Sequence, residues 1–351
     1  MFDIEFYQKF YRLKHELMKG HKHSREYVTD ELESFRSKTP VVYNIETTNA
    51  CNMKCLMCPR TTMMTRPVET MKPEVFKRII SQLHPHSPEA LRRWSWFVED
   101  YYGIPPSGMS ENHFFLHIIP RVIVLHGYGD PLLDPNMPQY VKWMTERGLE
   151  SYFSCNPANI DLERTIQTFE NGLGYVKYSI ESTDDMQHKA VRGQASNFTD
   201  AYRKIMALLD YKFKRGHKTV IVITMLDLNR PNQQEEYARL VEKFAGCDVY
   251  IYLKSQDQTW YEDNQAVTNS LHWIEPCQFP WSSMTIKSNG EAAMCVEDYD
   301  NEIILGDAKT ETLADIWNGE KYQKLRDDHL FVNPGIKCSE RCDMKLIGEY
   351  L

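Results

Sequence analysis

No apolar run in these 351 residues approaches the roughly 18 that a membrane-crossing helix needs, and the first residues lack the apolar core of a secretory signal. A basic excess is missing too: 41 lysines and arginines face 49 aspartates and glutamates, for a net charge of -8. Such a surface repels phosphate backbones, which argues against nucleic acid as a partner. The expectation is a cytoplasmic globular protein with neither membrane nor nucleic-acid partners. Cysteine, by contrast, is plentiful. Nine cysteines in an intracellular chain of this size point to metal binding or catalysis rather than to a disulfide framework.

Three of them share one short loop, Cys51-Asn-Met-Lys-Cys55-Leu-Met-Cys58. A closed zinc site usually draws on four ligands, and this loop offers three. A cubane [4Fe-4S] cluster in an ordinary electron-transfer site takes four thiolates. Three thiolates therefore hold three corners and leave one iron open to a small chelating ligand. Val41 to Asn49 reads as a strand running directly into Cys51.

Together the strand and the loop resemble the opening of radical S-adenosylmethionine (SAM) enzymes. Met57 stands where many members of that family carry an aromatic residue. The resemblance implies that the methionine end of SAM chelates the open iron and that reductive cleavage yields a 5'-deoxyadenosyl radical, with flavodoxin or ferredoxin as reductant. It also implies SAM contacts. After the second strand, His126-Gly-Tyr-Gly-Asp-Pro131 resembles the family's Gly-Gly-Glu-Pro element, with Gly127, Gly129 and Asp130 receiving the methionine ammonium. Ser179 and Glu181 on the fourth strand match the pair that contacts the ribose. Arg192, beside Gly193, matches the grip on the methionine carboxylate, and Asn156 matches an asparagine near SAM.

Strand and helix patterns alternate from Val41 to about residue 260. The expected strands are 41–47, 121–126, 150–155, 175–181, 219–225 and 249–254, and the expected helices include 73–83 and 198–213. Alternation of this kind argues for parallel pairing by right-handed crossovers. Six units fit the partial (βα)6 TIM-like barrel of the resembled family. Residues 1–40 read as a solvated or capping helical pair, from Phe2, Phe6, Phe10, Leu13 and Leu17 at helical spacing. Residues 85–118 form an aromatic-rich insertion, long enough to be either an extra helix closing one barrel edge or a substrate lid or subunit contact.

Residues 261–351 hold Cys277, Cys295, Cys338 and Cys342. Asn289-Gly290 signals a two-residue hairpin that draws Cys277 and Cys295 together, and a helix is expected from Leu313 to His329. Four thiolates complete either an iron-sulfur cluster or a zinc site. The arrangement resembles the small SPASM/twitch domain of radical SAM enzymes, which carries an auxiliary [4Fe-4S] cluster, so two clusters are expected in all. Cys155 and Cys247 read as small buried hydrophobes.

Among twitch members, the cysteine architecture resembles the aminocyclitol dehydrogenases of aminoglycoside antibiotic biosynthesis. That resemblance implies an oxidoreductase acting on a carbinol of a small, carbohydrate-like substrate. Redox-neutral dehydration, epimerisation or decarboxylation and peptide maturation stay open as alternatives, although the 40 residues before Val41 are few for a leader-peptide module. A noncatalytic zinc protein is the alternative of another class. Glu46, Asp227 and Asp257, at or just after strand C-terminal ends, are the candidate proton acceptors; Tyr178, Trp260 and Tyr261 are candidate pocket walls.

Overall fold

The computed structural model describes residues 1–108, 110–254 and 277–330. Six strands appear where the sequence places them: β1 Val42–Ile45, β2 Val122–Val124, β3 Glu150–Cys155, β4 Tyr175–Ser179, β5 Val220–Leu226 and β6 Tyr250–Lys254. Each pairs in parallel with its sequence neighbour. Parallel strands are covered on both faces, which accounts for the nearly continuous apolar runs in β2 and β5. Helices Met137–Glu146, Leu162–Glu170, Phe198–Arg215 and Gln233–Lys243 supply the crossovers. The curved sheet does not close, because among the described residues β6 has no further strand beside it. This is a partial (βα)6 barrel.

The strand registers define an inward row. Tyr152 pairs with Tyr175, Ser154 with Lys177, and Ser179 with Thr224, which in turn pairs with Tyr252. Phe114, from the long insertion, packs against Tyr152 and Tyr252 at ring-centroid distances of 5.2 and 6.0 Å, so this row faces the barrel interior. Tyr178 lies in the opposite row beside Cys155. It packs in the outer layer and does not line the interior, a correction to its expected place.

The insertion turns out to be a filler of the barrel. Helix Pro88–Tyr102 packs its aromatic residues on the first helix, α1, Ile4–Met18. A π-helical turn, Phe114–Ile118, then carries Phe114 into the interior. Trp94 Nε1 donates to the Leu116 carbonyl at 2.6 Å and ties the two pieces together. Lys254, at the end of β6, meets Glu111 of the insertion at 3.9 Å. The insertion thus lies along the open side of the barrel. Its neighbour α1 takes the capping alternative: Phe2 just before it and its Phe6, Phe10, Leu13 and Leu17 are all buried.

Three further strands extend the same sheet: β7 Met284–Ile286, β8 Glu291–Ala293 and β9 Ile304–Asp307. β7 pairs with β1 in parallel, while β8 and β9 run antiparallel. The expected two-residue hairpin is a three-residue one. The Lys287 N–H donates to the Glu291 carbonyl and the Gly290 N–H to the Lys287 carbonyl, leaving Ser288, Asn289 and Gly290 as the connection. Gly290 takes φ +87°, which glycine adopts without steric cost. The single helix expected over 313–329 is two, Leu313–Asn318 and Glu320–Leu330. Gly319 separates them where a side chain would come within 2.8 Å of the Asp315 carbonyl.

Candidate cluster and cofactor site

The Cys51–Cys58 loop leaves the C-terminal end of β1 and is pinned by the segment that ends helix Asp185–Arg192. Lys54 N–H donates to the Arg192 carbonyl at 3.1 Å and Leu56 N–H to the Val191 carbonyl at 3.0 Å. Gly193, at φ +98°, fits here because a side chain would lie 2.9 Å from Lys54 N. Cys55 is buried, with Cys51 and Cys58 half-buried, and all three are free thiols. Burial pushes the Cys51 thiol up to about 11 and raises Cys58 as well. Deprotonating such thiols calls for a cationic partner, as a bound metal centre provides.

Four of the residues assigned to SAM gather around this loop. Arg192 donates to the Glu181 carboxylate and, through Nη1, to Cys55 Sγ at 3.6 Å. Its Nε is buried with no partner, an unmet donor beside the thiols. Burial acts to lower the Arg192 pKa, but Glu181 and Cys55 outweigh it and hold the guanidinium charged. The other Glu181 oxygen accepts the Leu226 N–H at 3.0 Å. Asp130, also buried, accepts from Leu132 N, Asn156 N and Asn159 Nδ2 at 2.9–3.0 Å. Burial raises its pKa despite those donors, and its charge is felt at Cys51. Asn156 is held by Ser196, whose hydroxyl is in turn within 2.7 Å of His188 Nε2. Ser179 is half-buried in the inward row.

The two glycines of the loop after β2 are required by close neighbours. A side chain on Gly127 would meet Glu46 Oε2 at 2.2 Å, and one on Gly129 would meet the Thr48 carbonyl at 2.1 Å. Their missing side chains make room for the residues that continue β1.

Glu46 is where the structure departs most from the proton-acceptor expectation. Its carboxylate, 0% exposed, receives both Nη atoms of Arg66 at 2.7 Å, the Tyr128 N–H at 3.0 Å and the Ser288 N–H at 3.2 Å. Burial raises its pKa, yet Arg66, Lys287 and the Tyr128 N–H together hold it below the usual carboxylate range. A carboxylate with four donors clasps β1, the β2 loop and the C-terminal hairpin together. Asp227 caps a turn, accepting the Asn229 N–H at 3.0 Å. Asp257, Trp260, Tyr261, Cys338 and Cys342 lie outside the described residues.

His126 was not among the expected site residues, though it ends the inward row Val122, Val124, His126 at the C-terminal edge where barrel sites assemble. Its Nδ1 accepts the Ser154 N–H at 3.0 Å. A backbone N–H can only donate, so the ring proton of the neutral imidazole sits on Nε2. The ring stands edge-on to Tyr152 at 5.3 Å. Burial, helped by Lys177 and opposed by Glu46, pushes its pKa down to about 3. His126 is therefore a hydrogen-bond donor and no base at working pH. Nitrogen NMR of the labelled imidazole, assigned by its loss in His126→Gln, should show no titration between about pH 5.5 and 8, whereas a free imidazole titrates near 6.5. Because the folded pKa is depressed, the stability from burying this ring neutral is full above about pH 6.5 and declines as pH falls toward 3.

Among the described residues, no three His, Cys, Asp or Glu side chains converge tightly enough to chelate one metal ion. No described helix is long and apolar enough to cross a membrane. Cys277 and Cys295 are both buried against helix Glu320–Leu330: Cys277 N–H donates to His329 Nε2 at 2.7 Å, and Cys295 acts electrostatically on Tyr322.

Residues 277–343 match the SPASM family, an iron-sulfur cluster-binding domain. No curated protein matches the chain by sequence. Among solved structures, SuiB of Streptococcus suis bound to S-adenosylmethionine is similar at 14% identity and TM-score 0.55, covering 93% of this chain and 78% of its own. Native anSMEcpe with bound AdoMet is similar at 13% identity and TM-score 0.53, covering 86% of this chain and 89% of its own. BtrN in complex with AdoMet and 2-DOIA aligns at 15% identity and TM-score 0.47, over 85% of this chain and 91% of its own.

Proposed function

We propose that this chain is a radical SAM oxidoreductase acting on a small polar metabolite, most directly by oxidising a carbinol of a sugar or cyclitol. The observation that carries the reading is the three-thiol loop at the end of β1, held against Arg192, whose Nε is buried and unmatched, in a chain whose C-terminal residues match an iron-sulfur domain. When bound, a [4Fe-4S] cluster at Cys51, Cys55 and Cys58 supplies the electron that cleaves SAM, and a second at Cys277, Cys295, Cys338 and Cys342 supplies an electron acceptor.

The chain's own residues bind and orient. Arg192 Nε meets the methionine carboxylate, with the Glu181 partner keeping the guanidinium in place. Asp130, already steadied by three donors, faces the ammonium. In the interior, His126 Nε2–H donates to a substrate oxygen, and Phe114 forms a floor that limits the substrate's size. Asp227 and Asp257 stay candidate proton acceptors; Glu46, bound to Arg66, is a structural acid.

A peptide substrate is the second reading, favoured by the similar fold of anSMEcpe with bound AdoMet and Kp18Cys peptide, TM-score 0.53. Against it stands the insertion that occupies the barrel's open side. A metabolite screen with SAM under anaerobic reduction separates the two. The expected product is lighter by one pair of hydrogens, forms with one 5'-deoxyadenosine each, and passes deuterium from a labelled carbinol carbon into that 5'-deoxyadenosine. Unchanged mass indicates epimerisation and loss of one water dehydration, either of which overturns the dehydrogenase reading.

A further inference from the structure

The barrel interior has a second chamber, at the N-terminal ends of the strands and away from the thiol loop. The first residues of β4, β5 and β6 line a cavity of about 220 Å³ together with Phe114, His113, His117 and Arg121. This end of a barrel ordinarily serves stability, which packing or matched polar groups provide. Two side chains here are matched by neither. His117 is 3% exposed, and its Nε2 lies 3.0 Å from the Ile104 carbonyl. A carbonyl can only accept, so the ring proton sits on Nε2. Nδ1 is then a bare lone pair, buried and without a partner among the described residues. Burial lowers the pKa of this imidazole, the Ile104 carbonyl opposes that and Arg121 adds to it, so the ring is neutral.

Arg121, immediately before β2, presents the opposite chemistry. Its contact with Tyr175 leaves Nε a buried donor with no partner among the described residues. No described carboxylate forms an ion pair with it, and Glu150 feels its charge only from farther away. A bare acceptor and a charged donor on one cavity wall are selective. A metal cation would find the imidazole lone pair but also the guanidinium charge, and among the described residues no three ligands converge. A plain oxyanion would answer Arg121 and turn its own lone pairs toward Nδ1. An oxyanion that also carries a hydroxyl answers both groups.

We propose that this lower chamber binds a small hydroxyl-bearing oxyanion, hydrogen phosphate or an α-hydroxycarboxylate, whose charged oxygen accepts from Arg121 Nε–H and whose hydroxyl donates to His117 Nδ1. The site goes beyond the proposed reaction and does not depend on it. His117 and Phe114 belong to one π-helical turn, so the ligand is seated against the turn that carries Phe114 into the barrel.

Calorimetric titration of the reconstituted protein with inorganic phosphate, glycolate and acetate tests this. Phosphate or glycolate should bind once per chain. Where glycolate binds, acetate, which lacks the hydroxyl, should bind about threefold to tenfold more weakly. Phosphate without glycolate assigns a phosphoryl group and glycolate without phosphate a hydroxy acid, and either supports the site. Arg121→Met should weaken binding about tenfold to a hundredfold, and Arg121→Lys, which keeps the charge, by less. Should Arg121→Met fail to fold, the wild-type protein decides: the His117 Nδ1 nitrogen resonance should move when phosphate or glycolate is added. An unmoved resonance, or binding of neither compound, overturns the proposal. So does acetate binding as tightly as glycolate, or affinity unchanged in Arg121→Met, which would mark an adventitious ion only.

Discussion

Replacing Cys51, Cys55 and Cys58 together with alanine should abolish 5'-deoxyadenosine formation under dithionite and halve the iron of the reconstituted protein, from about eight atoms per chain to about four. The effect is all-or-none because the open coordination position exists only where three thiolates meet a four-iron cube. The nearby carboxylates are engaged elsewhere, Glu181 with Arg192 and the Leu226 N–H and Asp130 with three donors, so neither is free to take the place of a thiolate. Cys277→Ala behaves differently. It loses iron from the other site while retaining some SAM cleavage, now uncoupled from product. Iron analysis and chromatographic measurement of 5'-deoxyadenosine decide both points. Equal cleavage by wild type and the triple variant refutes the assignment, and a wild-type content near four irons removes the second cluster.

Glu46→Gln destabilises the fold by about 3 to 5 kcal/mol, the usual cost of leaving one member of a buried ion pair without its partner. The amide keeps one acceptor oxygen, and its NH2, in the other position, faces one Arg66 Nη and either the Tyr128 or the Ser288 N–H, all of them donors. Three segments distant in sequence lose their common acceptor at once. Anaerobic urea unfolding of the reconstituted protein measures the difference. Glu46→Gln combined with Arg66→Met should recover part of the loss, since no buried guanidinium is then stranded. If Glu46→Gln is as stable as wild type but inactive, the acid is a proton acceptor after all.

Much of the barrel could be read from the chain because each strand carries its own pattern. All six expected strand positions coincide with observed strands, and the alternation with helices implied their parallel order. The thiol loop was equally plain, since its ligands are neighbours in sequence. What could not be read depends on partners brought from afar. Glu46 reads as a candidate proton acceptor at a strand end, and nothing near it in sequence announces Arg66 or the Ser288 N–H. That glycine is required at 127 and 129 because Glu46 and Thr48 come so close depends on that same distant packing. His126 could have been found from its place at the end of an inward row. Its tautomer, however, is fixed by the Ser154 N–H and its neutrality by burial near Lys177, and neither is a local property.

The pairing of β7 with β1 has a consequence for rates. Electron tunnelling falls off exponentially with distance, so a gap that fluctuates by even a few ångströms makes an erratic relay. The hairpin that leads into Cys295 is hydrogen-bonded to the strand that leads into Cys51: Met284 N–H donates to the Val41 carbonyl and Glu46 N–H to the Ile286 carbonyl, each at 2.8 Å. Cys51 and Cys295 therefore follow strands of one sheet, β1 and β8, with β7 between them. Cutting the chain after β6 would strip β1 of that neighbour and leave a bare edge open to pairing with other molecules. The barrel alone should accordingly precipitate rather than survive as a slower enzyme.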